Sequence, residues 1–430
     1  MTHRKIEPVS AKRGFVQILF GTLIGQVATL FALPIISRLY SPAQYGSLSL
    51  VASIAALLAP IFILGMDQAV VRPKCSDDAK RMFDVGIIGS LSFTMFAAIV
   101  LLVIEPLTNY FPESKGFIIL MLPLCVLVVG LSFLLNQVQV RLERYASLGI
   151  RNTIQSLSIT GIQLACGIIG AAWIPNGLII GYVVGTGIGV VILAWATRDW
   201  FRQINVAKAL GTLRNEWRYP VLFVPSTITA QFSQQMPLLF LSTVFGVHVA
   251  GQIGMGERLI AIPSAQMLIA GSSVFLGKFS LLARSSTKSL EPMFLKFSGV
   301  FATIGFMSFV GFFFLGSFLI PILLGSDWSE AAELLRPMAF ACATRVLMSP
   351  LVGVFRVLNS AKLLSQFEVV RVIYLVILAG TLWAAHVEFN TSVWFIYLSL
   401  AVLDIALWGL AFYVVRTRGV HRDSSEKLSG

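Results

Sequence analysis

Ionisable side chains are scarce inside the long apolar stretches of this chain, and those few can bind an anion or carry a proton. Asp404 lies near the middle of the run Ser392–Val415, preceded by Leu403 and followed by Ile405, Ala406 and Leu407. Arg345 is similarly deep in the run over 331–356, and Arg356 lies eleven residues further on. At about 100° per residue that returns to within about 20° of the same helical face, although Pro350 stands between them and can kink the helix. An ionised group at the bilayer centre costs ~2.5–3.5 kcal/mol even on the lenient insertion scale, so each must meet a partner or a polar cavity. Two readings of Asp404 stay open. It pairs with an arginine and fixes helix packing, or it lines a substrate or ion path, with a proton or sodium ion as the coupling species.

Uncharged polar residues form two further stripes. Thr227, Gln231 and Gln234/Gln235 share one helical face, as do Thr22, Gln26 and Thr29. They suit opposite walls of a central cavity, or hydrogen bonds between packed helices.

The elements that must position these groups are membrane helices. A span needs ~20 apolar residues to cross ~30 Å of hydrocarbon. Twelve such runs are expected near 14–37, 47–66, 84–104, 117–137, 152–173, 178–197, 220–244, 257–279, 297–320, 331–356, 367–386 and 392–415. Breakers at Ser41-Pro42, Arg72-Pro73, Pro112, Pro175-Asn176-Gly177, Pro292, Gly325-Ser326-Asp327 and Asn390 separate them. The composition agrees: 57% of residues are hydrophobic, 12% are charged, and the mean hydropathy is +0.84. About 27 of the 32 Lys and Arg fall on alternate loops, which places both termini in the cytoplasm and makes the number of spans even. The net charge of +12 therefore follows membrane topology and does not signal nucleic acid. The first run, about 24 residues long without a small-residue cleavage site, reads as a retained helix.

A shift of 205 positions lays Val16, Thr22, Gln26, Leu33, Ser37 and Gly46 on Val221, Thr227, Gln231, Leu238, Ser242 and Gly251. The expected architecture is an all-α polytopic membrane protein of two pseudo-symmetric six-helix lobes. The segments are a cytoplasmic N-terminus (1–13), an N-lobe (14–197), a cytoplasmic linker (198–219), a C-lobe (220–415) and a cytoplasmic tail (416–430). Gly21 and Gly25, and Gly181, Gly185 and Gly189, form small-residue stripes for close helix packing.

Soluble-enzyme chemistry finds no support. Gly271–Lys278 resembles a phosphate loop, but its glycines are one residue too far apart and Phe279 stands where a magnesium-binding Ser or Thr belongs. Cys75, Cys125, Cys166 and Cys342, like the four His, show no metal-ligand spacing. No metal, cofactor or catalytic residue is expected.

The most specific stretch runs Leu33-Pro34-Ile35-Ile36-Ser37-Arg38-Leu39-Tyr40-Ser41-Pro42-Ala43-Gln44-Tyr45-Gly46, and then Leu64-Gly65-Met66-Asp67-Gln68-Ala69-Val70-Val71-Arg72. It resembles the N-terminal signature of the lipid-linked oligosaccharide flippases of polysaccharide biosynthesis, in the MOP exporter superfamily. The resemblance implies an alternating-access carrier in a bacterial inner membrane. Its cargo would be an undecaprenyl-pyrophosphate-linked oligosaccharide, such as an O-antigen or exopolysaccharide repeat, moved from the cytoplasmic to the periplasmic leaflet. Expected partners are this substrate, membrane lipids, a coupling proton or sodium, and glycan polymerase or chain-length machinery. Arg38, Arg345 and Arg356 are then candidate phosphate contacts. Thr22, Gln26, Thr227, Gln231 and Gln234 suit sugar hydroxyls. Asp67 and Arg72, at the end of helix two, would gate the path or pin helices, and Asp404 would couple transport to an ion. The competing readings are a multidrug or cation antiporter of the same superfamily and a membrane-embedded glycan polymerase or glycosyltransferase. The first would need more membrane carboxylates, and the second longer loops.

Overall fold

The computed structural model describes residues 11–73, 75–108, 115–170, 174, 176–202, 204–285 and 290–426. The basic residues of 1–10, the breakers Pro112 and Pro175 and the last four residues lie outside that set. The described residues are mostly helical, with no strand among them. Each of the twelve expected runs overlaps a long helix or, for 297–320 and 331–356, a short series of helical segments; the run 47–66 outlasts α2, which ends at Phe62, and 171–173 of the run 152–173 lie outside the described residues. Nine helices among the described residues are long and apolar enough to cross a membrane. The other three carry polar side chains within them: Asn152, Gln155 and Gln163; Gln231, Gln234 and Gln235; and Glu257 and Arg258. The chain packs as two compact units, one of residues 1–40 and 47–235, the other of 41–46 and 236–430.

The first unit begins with α1 (Ala11–Leu39), α2 (Pro42–Phe62, from Ser47 onward), the short α3 (Met66–Val70) and α4 (Ser76–Thr108). It continues with α5 (Lys115–Arg141), α6 (Tyr145–Ile169), α7 (Gly177–Ala196), the single turn α8 (Arg198–Phe201), α9 (Val206–Asn215) and α10 (Arg218–Phe245) as far as Gln235. Helix α6 is gripped on both sides by the glycine stripes. A Cβ on Gly21 would overlap the backbone of Gly149, and one on Gly25 would press on Ser156. On the other side Gly181, Gly185 and Gly189 face Gln163, Ile159 and Gln155. Close backbone approach strengthens dispersion contacts where lipid supplies no hydrophobic drive between helices. Buried polar groups add directed bonds: Gln163 Nε2 donates to Leu178 O at 3.0 Å, and the Tyr40 hydroxyl to Gln163 O at 2.7 Å.

The second unit holds the remainder of α10, α11 (Val247–Ser285), α12 (Leu290–Val310), α13 (Gly316–Leu324), α14 (Ser329–Met348), α15 (Gly353–Val357), α16 (Ala361–Ala384) and α17 (Phe389–Glu426). A π-helical segment, Gly311–Leu315, joins α12 to α13. Its core gathers Phe275, Phe279, Phe294, Phe301, Phe355, Leu407 and Val414. Gln252 holds the start of α14, donating to Asp327 O (2.7 Å) and accepting from the Ala331 amide (3.0 Å).

Residues 41–46, the loop of the sequence signature, belong to this unit. A Cβ on Gly46 would overlap Val247 O, and one on Gly251 would overlap Pro42 O. The two glycines matched by the 205-residue shift thus cross each other at backbone contact. Tyr45, 3% exposed, meets Trp328 edge-on at 5.7 Å and accepts a hydrogen bond from Arg258 Nη1 at 2.9 Å. The specificity of the P-A-Q-Y-G stretch has a packing cause.

Candidate functional site: a charged cluster in the second unit

Four helices of the second unit bring ionisable groups together. Helix α17 repeats buried residues at helical spacing (Tyr397, Leu400, Ala401, Asp404, Leu407, Ala411), so Tyr397 and Asp404 share one inward face. Helix α16 supplies Glu368 and Arg371, one turn apart. Helix α14 supplies Thr344 and Arg345, and α11 supplies Glu257.

Asp404 is 5% exposed and Arg371 7%. Arg371 Nη2 lies 3.3 Å from Asp404 Oδ1, and its Nη1 lies 3.9 Å from Glu368 Oε1. Thr344 Oγ1 reaches Asp404 Oδ2 at 3.5 Å. The buried Tyr397 hydroxyl donates to Glu257 Oε1 at 3.0 Å. Arg345 acts electrostatically on both Glu257 and Asp404, and so links the two halves of the cluster. Its residue is exposed at the surface of the unit, unlike Arg371. The cluster therefore contains three carboxylates and two guanidiniums, one guanidinium enclosed and one accessible.

Of the residues singled out by sequence, only Arg345 and Asp404 meet here. Arg356 is exposed on α15, beyond a 3-10 turn at Ser349–Leu351 that carries Pro350. Pro350 has no amide hydrogen to continue the α-helical ladder. The 100° spacing from Arg345 to Arg356 consequently does not carry across the break. Arg371, Glu368 and Glu257 went unrecognised. Glu257 opens the expected span 257–279 and Arg371 lies near the start of 367–386, where a charge reads as a span end, whereas α11 and α16 begin at Val247 and Ala361, ten residues before them. The signal that could have found Glu368 and Arg371 is their spacing of three residues, a helical ion pair.

In the first unit the Thr22 stripe meets α6. Asn152 Nδ2 donates to Thr22 Oγ1 at 2.8 Å, and Thr29 Oγ1 lies 3.2 Å from Thr160 Oγ1. Gln26 is half-buried, and Arg38 is exposed at the end of α1. On α10, Thr227 and Gln231 are half-buried and Gln234 is exposed, while Gln235 Oε1 accepts from Ser53 Oγ at 3.1 Å.

Asp67 and Arg72 diverge. Asp67 is buried, and its Oδ2 accepts from Gln68 Nε2 at 3.2 Å. Burial pushes its carboxyl above the usual range, opposed by hydrogen bonds from Gln68. The exposed Arg72 lies over the Phe223 ring, 4.4 Å from its centroid. Leu64 and Gly65 have positive φ, 55° and 64°, and a Cβ at Gly65 would stand 3.0 Å from Phe223 Cβ. Glycine is favoured in that left-handed turn, and its small size lets the turn seat against α10. Arg141, at the end of α5, secures the same turn by donating to Val70 O (3.2 Å), Val71 O (3.3 Å) and Cys75 O (3.1 Å).

The sequence profile described as "Polysaccharide biosynthesis protein" matches residues 35–333. No curated protein matches the chain significantly. Among solved structures, the chain is similar to an inward-facing multidrug resistance MATE family transporter of the MOP superfamily, with a TM-score of 0.62 and 12% identity. That match covers 94% of this chain and 95% of the other. A Vibrio cholerae MATE transporter gives a TM-score of 0.59 at 14% identity, covering 93% and 96% of the two chains. A MOP superfamily transporter from Pyrococcus furiosus, described as having a binding pocket of reverse polarity, gives 0.57 at 14%, covering 95% and 96%. At such identities the likeness establishes the fold. The membrane-spanning helices, the signature loop and the profile match together make this chain a multi-pass membrane protein of the polysaccharide biosynthesis family, built on the fold of the MOP superfamily.

Proposed function

We propose that this protein is an alternating-access carrier for undecaprenyl-pyrophosphate-linked oligosaccharide units, moving them from the cytoplasmic to the periplasmic leaflet of a bacterial inner membrane. One observation carries the reading. In a chain of a polysaccharide biosynthesis family, α14 presents an exposed guanidinium, Arg345, within a stretch apolar enough to span the membrane. An exposed cation at that depth is costly unless an anion meets it. A pyrophosphate offers several acceptor oxygens to such a fork-shaped donor, while the polyprenyl tail stays in lipid. Within the same unit, the exposed Arg356 of α15 supplies a further phosphate contact.

Coupling is assigned to the cluster around Asp404. With all groups ionised, its three carboxylates outnumber its guanidiniums by one, and a proton or sodium ion balances the excess. Transport that kept its full gradient dependence in Asp404→Asn would remove this assignment.

The test of the main reading is genetic. Deleting the gene leaves the lipid-linked unit synthesised but accumulated on the cytoplasmic leaflet. The wild-type gene restores export, and Arg345→Gln restores it poorly. Loss of unit synthesis would point to an enzyme. Unchanged glycan with increased sensitivity to cationic drugs would favour the antiporter reading, which the carboxylate excess also supports.

A further inference from the structure

Helix α9 exposes large apolar side chains although it lies between membrane helices rather than within one. Val206 is 55% exposed and Leu210 58%, and Trp217, just past the helix, is 56% exposed. Val206, Leu210 and the half-buried Leu213 fall within about 60° on the helix surface. These side chains do not await a cover from their own unit, because α9 is already fixed by other groups. Asn205 caps its start, accepting from the Lys208 amide at 3.0 Å, and the Asn205 backbone bonds the Asp84 carboxylate of α4. Ala209 is the residue buried against the unit, at 2% exposure.

The charge around this stripe is asymmetric. Between Arg198 and Arg218 there are five basic residues and two acidic ones, and Arg202, Lys208, Arg214 and Arg218 are all exposed. An anchored amphipathic helix with basic flanks, set at the membrane level by the spans on either side, has the design of an interfacial element. We infer that α9 is a lipid-recognising anchor: Val206, Leu210 and Trp217 enter the headgroup–acyl boundary while Lys208, Arg214 and Arg218 hold anionic headgroups. Its partner is the anionic lipid surface on the side where the basic loops lie. Each exposed cation near such a surface contributes about 1 kcal/mol, or about five-fold in local binding.

The experiment uses the full chain carrying Cys75→Ser and Leu210→Cys, labelled with an environment-sensitive fluorophore. It is reconstituted in phosphatidylcholine vesicles with or without phosphatidylglycerol. The label should shift to the blue and be quenched by a shallow spin-labelled lipid, more strongly with phosphatidylglycerol. A label at Gly211→Cys, where an added Cβ meets open space, should stay accessible to iodide. Joint replacement of Lys208, Arg214 and Arg218 by glutamine should abolish the phosphatidylglycerol effect. The inference fails if the Leu210→Cys label remains iodide-accessible in both vesicles. It also fails if the label is shielded but unquenched by lipid, which would assign the face to a protein. A shift indifferent to phosphatidylglycerol overturns the anionic partner. None of these readouts depends on transport, so they stand or fall apart from the carrier reading.

Discussion

Replacing Arg371 by leucine removes the guanidinium enclosed between Asp404 and Glu368, at 3.3 Å and 3.9 Å. At an effective dielectric constant of about 20, the Coulomb attraction at the shorter distance is about 5 kcal/mol. Taking both charges out of water offsets much of that in the intact protein, so the pair itself adds little net stability. The single substitution behaves differently, because it leaves Asp404, 5% exposed, without its ion-pair partner. Such a break costs about 3–5 kcal/mol, which corresponds to a fall of about 5–10 °C in apparent melting temperature. Arg371→Leu combined with Asp404→Leu removes both charges and should recover most of that loss. The assay is thermal denaturation of the purified chain in detergent, read by size-exclusion of the surviving monodisperse fraction, for wild type, both single variants and the double. Arg371→Leu melting within a degree or so of wild type would refute the reasoning. So would a double variant no better than the worse single one, since either outcome means the pair is not coupled in the folded state.

Gly46→Val forces a side chain into the backbone of α11 and should cost about 1–3 kcal/mol by overpacking. Gly161→Ala, where an added Cβ meets open space, should be neutral or stabilising by about 0.5–1 kcal/mol; yield and melting temperature report both. Asp67 should make stability pH-dependent. Its raised folded-state titration means that the folded chain binds the proton more tightly than the unfolded chain. Stability present at acid pH is then lost as pH rises above the ordinary 3.8 and through the raised value. Asp67→Asn should flatten that part of the pH profile, and an unchanged profile would exclude the assignment. Arg141→Ala frees three carbonyls of the turn after α3 and should lower stability by about 1.5–3 kcal/mol, with faster hydrogen exchange confined to residues 70–76.

What the sequence determined alone was whatever depends on a segment and its solvent. A run such as Gly177–Ala196 is apolar enough to need lipid whatever it packs against, and glycines spaced by four, as at Gly181, Gly185 and Gly189, must lie on one helical face. The signature Tyr45-Gly46 was likewise legible as special, though not as the clasp around Arg258, Trp328 and Gly251. Only the tertiary structure decided which polar groups meet. Asp404 is fifty-nine residues from Arg345 and thirty-three from Arg371; nothing in either spacing selects between them. Helix periodicity pointed to Arg345 and Arg356, but Pro350 breaks the ladder there. The same holds for Thr22 and Thr29, whose stripe was readable while its partners on α6 were not. Helix faces follow from the 3.6-residue repeat, which is local. The neighbour of a face is set by how all the helices share buried surface, and that information is spread over the whole chain.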